Sequence, residues 1–140
     1  DVGSESGFKE ELPVLNHQGI VGHIIRVAPK HAVVQLITDA RGAVDALIQR
    51  TRTGGIFIGS SNGRNTGHLW YVSREEDIRV NDQVISSGYG GVYPKGVPVG
   101  VVKAVDRSGT EMFQTIDVRP AVDFSRLEEV LVVVGRRPPR

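Results

Sequence analysis

Gly59-Ser60-Ser61-Asn62-Gly63 spells Gly-x-Ser-x-Gly, a spacing that can hold a nucleophilic serine exposed at a sharp strand-to-helix elbow. The elbow works only if a helix comes next. Here the next residues are Arg64-Asn65-Thr66-Gly67, a polar run without apolar periodicity, so a Gly/Ser/Asn hairpin tip is the expectation. His31, Asp39 and either Ser61 or Ser87 also run in the His–Asp–Ser order of chymotrypsin-like proteases. A triad is defined by geometry rather than chain order. His31 and Asp39 bracket one expected strand, and at about 3.3 Å per residue they stand more than roughly 20 Å apart. No catalytic residues are assigned.

Metal and phosphate chemistry fare no better. His17, His23, His31 and His68 are scattered, with no carboxylate at ligand spacing, and there is no cysteine. Gly88-Tyr89-Gly90-Gly91 lacks the Gly-Lys-Ser/Thr ending of a phosphate-binding loop. No metal and no cofactor is expected. The segment Val84 to Gly100 stands out for another reason: Tyr89 and Tyr93 are large amphipathic groups on a glycine-rich loop. Tyr89, Val92 and Tyr93 are the candidate protein-contact residues. The alternative is that the loop packs across a barrel end and its tyrosines close it.

The elements that would hold these groups are strands. Seventeen glycines punctuate short β-branched runs, which predicts Ile20–Val27, Ala32–Thr38, Ala43–Gln49, Gly55–Ile58, His68–Val72, Gln83–Ser86, Val99–Val105, Met112–Val118 and Val130–Val134. In the Met112 run, Met112, Gln114, Ile116 and Val118 share one face, and Phe113, Thr115, Asp117 and Arg119 the other. No window keeps a helical period for three turns. Two Ser-x-x-Glu boxes, Ser73–Glu76 and Ser125–Glu128, can each cap a single turn. Many short strands favour closed barrels, because open sheets leave adhesive edges.

Leu12-Pro13-Val14 with Gly19-Ile20-Val21-Gly22 is similar to Gly96-Val97-Pro98-Val99-Gly100-Val101-Val102. The weak repeat suggests two related half-units with a third segment between them. The expected division is a first barrel from 1–32 and 95–135, an inserted barrel at 33–94, and a basic tail at 136–140.

The chain has 140 residues, 39% of them apolar, with 17 basic side chains against 16 acidic. That supports a real core and gives no field that would favour nucleic acid. The longest apolar run, Val130 to Val134, is far short of the roughly twenty residues of a membrane-spanning helix. A start at Asp1 without methionine suggests an excised piece whose targeting or anchoring segment is missing.

Several segments together resemble one family. Gly19-Ile20-Val21-Gly22-His23-Ile24 and Val34-Gln35-Leu36-Ile37-Thr38-Asp39 are similar to two of its strands. Ile78 to Gly88, then Gly90-Gly91-Val92-Tyr93-Pro94-Lys95-Gly96-Val97-Pro98-Val99-Gly100, resemble its central motifs. Pro120 through Asp123-Phe124-Ser125-Arg126-Leu127-Glu128-Glu129-Val130 resembles its last one. The chain is identified on these motifs as a member of the rod shape-determining protein MreC family. Asn81 and Ser86 stand where that family often has Gly and Thr, exchanges that keep turn and β character.

The resemblance implies an all-β fold: two small β-barrels, one inserted into the other, like chymotrypsin's barrels but without the triad. It implies a non-catalytic scaffold of cell-wall elongation on the periplasmic side of the bacterial inner membrane, anchored by a transmembrane helix missing here. The implied partners are the elongation-specific penicillin-binding transpeptidase, which it would bind and activate, MreD, RodZ, MreB, and further copies of itself. Two alternatives remain: a small serine hydrolase using Ser61 or Ser87, and a peptidoglycan-binding module. The second is disfavoured because Trp70 lies within an apolar strand.

Overall fold

A computed structural model describes residues 11–61, 65–126 and 131–132. Ten strands run in order: β1 Pro13–Asn16, β2 Gly19–Val27, β3 Ala32–Leu36, β4 Val44–Ile48, β5 Gly54–Gly59, β6 Gly67–Trp70, β7 Gln83–Ser86, β8 Pro98–Asp106, β9 Thr115–Pro120 and β10 Leu131–Val132. A 3-10 turn spans Phe124–Arg126. The fold is all-β. Strands β4-β5-β6-β9-β8-β7 form a closed barrel, while β10-β1-β2-β3 form a four-stranded sheet, with the barrel inserted between β3 and β10. Among the described residues, that second unit is an open sheet.

Strand pairing differs from the division expected from sequence. Strands β8 and β9, assigned there to the first unit, hydrogen-bond into the barrel, and β3 joins β1 and β2 in the sheet. The reason is closure. Strands β4 to β7 alone would leave β6 and β7 as open edges. Strand β9 pairs with β6, β8 pairs with β7, and the two pair with each other, so every ladder is filled. The repeat around Pro13 and Pro98 therefore marks similar strand starts in two different sheets. Each proline is the first residue of its strand, where no ladder N–H is lost.

Alternation builds the barrel core. Val44, Ala46 and Ile48 of β4, Phe57 of β5, Leu69 of β6 and Ile116 and Val118 of β9 all point inward and are buried. Ile20 and Ile37 of the sheet side join the same cluster, and a smaller one gathers Val14, Val21, Ile24 and Val122. Phe124 packs against both, tying sheet to barrel. At two junctions between the units only glycine fits. A Cβ on Gly19 would collide with the Pro98 carbonyl oxygen, and one on Gly59 with the backbone of Thr38. The Met112 run is shorter than expected: Gln114, Ile116 and Val118 turn inward, whereas Met112 is exposed and lies before β9.

Candidate functional site

The loop between β7 and β8 is closed from beneath by serines. Ser86 is fully buried; its hydroxyl donates to the Pro94 carbonyl and accepts from the Val97 N–H at 2.8 Å. Ser87 donates to an Asp45 carboxylate oxygen at 2.7 Å and accepts from the Tyr89 N–H at 3.1 Å. Gly88, Gly90, Gly91 and Gly96 have positive φ, which lets the chain reverse over these anchors. The loop is thus stapled at its base.

Its three candidate residues separate. Tyr89 is 76% exposed at the tip. Val92 is half-buried against the barrel core. Tyr93 is buried, its hydroxyl 3.0 Å from Nδ1 of His23 on β2 and its ring edge-on to that imidazole. Burial pushes the Tyr93 hydroxyl well above its ordinary pKa, so it stays a neutral hydrogen-bonding group. Burial also lowers the His23 pKa, opposed by Glu11. Tyr93 packs into the barrel core cluster and against His23 of the sheet, so its ring is withdrawn from the surface. Of the three, Tyr89 remains an exposed candidate.

The serine look-alikes have structural partners. Ser61 Oγ accepts from the Ala40 N–H, and the Ser61 N–H donates to the Thr38 carbonyl at 3.0 Å, fastening the β5–β6 connection to the β3–β4 turn. Asp39 is engaged by Arg41, whose side chain and backbone N–H hold its carboxyl down at about 2. His31 lies at the opposite end of β3 from Asp39. Among the described residues, neither Ser61 nor Ser87 hydrogen-bonds a histidine, and no cluster of three metal-ligating side chains forms. No helix of the described residues is long and apolar enough to cross a membrane.

A second surface carries no clear mark in the sequence. Trp70 is 47% exposed and Tyr71 60%, so Trp70 faces outward rather than into the barrel. Their ring centroids are 6.4 Å apart; Phe113 stands edge-on to Tyr71, and His68 lies 5.9 Å from Trp70. Nε2 of His68 is 3.1 Å from a carboxylate oxygen of Asp117, its cross-strand neighbour on β9. His68, Trp70, Tyr71 and Phe113 edge a cleft of about 400 Å³ that also takes in Glu111 and Thr115. Membership of an apolar strand therefore does not withdraw Trp70 from the surface, contrary to the sequence expectation. Beneath the rings, Gln114 donates to the carbonyls of Ser73 and Glu76 and accepts from Arg107, which rigidifies the floor.

Residues 1–134 match the family model described as rod shape-determining protein MreC, barrel core. The chain is 35% identical over 136 residues to the cell shape-determining protein MreC of Escherichia coli (strain K12), covering 96% of this chain and 36% of that protein. To the protein of the same name from Caulobacter vibrioides (strain NA1000 / CB15N) it is 38% identical over 107 residues, covering 76% and 30%. It thus spans about a third of the length of these curated relatives. Among solved structures, MreC from Pseudomonas aeruginosa superposes with a TM-score of 0.86 at 30% identity, covering 94% of this chain and 84% of that one. The complex between penicillin-binding protein PBP2 and MreC from Helicobacter pylori aligns with a TM-score of 0.64 at 18% identity, covering 79% and 67%, a likeness of fold.

Proposed function

This chain belongs to the MreC family, and from that premise we propose that it is a non-catalytic scaffold of cell-wall elongation that binds a penicillin-binding transpeptidase. The observation that carries the reading is the family match over residues 1–134. The MreC of Helicobacter pylori, which shares the fold, forms a complex with PBP2. The structural engagement of Ser61 and Ser87 adds support, since neither hydroxyl is paired with a histidine base among the described residues.

The mechanism rests on two-state binding. A scaffold that contacts one conformation of the transpeptidase better than another shifts it toward that conformation, by no more than the difference in affinity. Tyr89, exposed on a stapled loop, is the contact candidate, because a rigid base spares the ordering cost of binding. Val92 and Tyr93 hold that loop in place. Self-association would use the outer edge of β3, which pairs with β2 alone in this sheet. MreD, RodZ and MreB complete the set of partners, and the site of action is the periplasmic side of the inner membrane.

The test is binding of the 140-residue chain to the purified elongation transpeptidase, measured by surface plasmon resonance. Saturable binding that weakens in Tyr89→Ser supports both the scaffold role and the loop. Undiminished binding removes the loop assignment, and absence of any binding removes the scaffold reading. A fluorophosphonate probe addresses the hydrolase alternative: labelling lost on Ser61→Ala or Ser87→Ala would overturn the non-catalytic reading.

A further inference from the structure

We propose that the cleft beside Trp70 and Tyr71 binds a neutral oligosaccharide of N-acetylated hexosamine units. A pyranose ring has an apolar C–H face and a rim of hydroxyls, so its receptor needs a flat, open aromatic face bordered by hydrogen-bonding groups. Trp70 and Tyr71 supply two such faces, inclined at 48° to each other. Phe113 meets Tyr71 at 86°, bracing that ring from its edge. The cleft of about 400 Å³ lies within the range of small-ligand sites.

Tyr71 reinforces the assignment. Its φ of 69° lies in the left-handed region, unusual for a bulky residue. Local strain of this kind persists where the surroundings over-determine it, often at binding sites. Its effect is concrete: it breaks the strand alternation, so that Trp70 and the next residue both face outward.

The border of the cleft selects the ligand. Glu111 is an acceptor, Thr115 offers a hydroxyl, and His68 on the border is anchored from behind by the Asp117 carboxylate. Acceptors suit a donor-rich ligand: sugar hydroxyls and an acetamide N–H, with the acetyl methyl against an aromatic ring. The same carboxylates repel nucleic-acid phosphates. Charge within the cleft also disfavours a protein partner, because the centres of protein interfaces are depleted of charged residues.

Trp70 is the single tryptophan of the chain, which makes its fluorescence a direct reporter. The 140-residue chain is titrated with the β-1,4-linked tetramer of N-acetylglucosamine. The expected result is a saturable blue shift of emission, with binding roughly tenfold weaker in Tyr71→Ala. Calorimetry on Trp70→Phe, which keeps a stacking face, should still register binding, while Trp70→Ala should abolish it with the melting temperature lowered by no more than about 5 °C. Emission that stays constant up to millimolar tetramer overturns the proposal. So does a response to purified transpeptidase without one to sugar, which would make this a protein-contact face. The scaffold role is read in a separate binding assay and does not stand or fall with this one.

Discussion

The glycine-rich loop and the aromatic face of the barrel reverse the expectation formed from their residues. The loop advertises itself through glycines and two tyrosines, yet it buries Tyr93 and leaves Tyr89 open. The β6 run reads as an interior strand, yet it puts Trp70 and Tyr71 into solvent beside Phe113. Composition marks where the chain turns. Whether a ring ends up inside is decided by anchors such as Ser86 and by the backbone angle at Tyr71.

Four measurements can break or sharpen that contrast. The largest effect should come from the tyrosine pair. Tyr93→Ala should destabilise the fold by about 3 kcal/mol in chemical denaturation, through a cavity and the lost His23 contact. Tyr89→Ala should stay within about 0.5 kcal/mol of the parent. Equal losses would mean that the loop is not divided as described.

The second contrast lies on β6 itself. Leu69→Ala, at a fully buried position, should cost about 2–3 kcal/mol, against about 1 kcal/mol or less for Trp70→Ala next to it. A costly Trp70→Ala would show that the ring supports the core. Third, Ser86→Ala removes a buried donor and acceptor and should cost about 2 kcal/mol. Hydrogen exchange should quicken at Val97 and Gly96 before the barrel strands respond.

The smallest effect is in pH. Burial lowers the His23 pKa below its ordinary 6.5. As pH falls through that value the unfolded chain takes up the proton first, so folding stability is full above it and declines below it. A stability–pH profile should show this decline, and His23→Gln should flatten it. A profile of the same slope in His23→Gln would remove His23 as its source.

Much of the fold was legible because alternation speaks plainly where polar and apolar residues take turns. Ile116 and Val118 face inward while Thr115 and Arg119 face out, as their pattern dictates. Barrel membership was not legible, since it depends on which ladders β8 and β9 complete, and pairing leaves no mark on a strand's own residues. Strand β1 was not legible because Pro13 and Asn16, its two end residues, read as turn signals and leave only Val14-Leu15 between them. The aromatic face was hidden for a specific reason. His68-Leu69-Trp70-Tyr71-Val72 is nearly continuous in apolar character, so it does not say which side is the core, and a left-handed tyrosine is not foreseeable from residue type. The Gly-x-Ser-x-Gly look-alike could be doubted from the polar run after it, although Asn62 and Gly63 lie outside the described residues.

The pairing of β1 with β10 bears on mechanics. Val14 lies opposite Val132 and Leu15 opposite Leu131, in antiparallel register. Tension applied between Pro13 and Val132 would therefore peel the two strands apart one hydrogen bond at a time, like a zipper, rather than shear them together. The barrel sits in the slack between the ends of this zipper and carries no load until it opens. Under such tension the sheet would act as a mechanical fuse, yielding early and sparing the closed unit behind it.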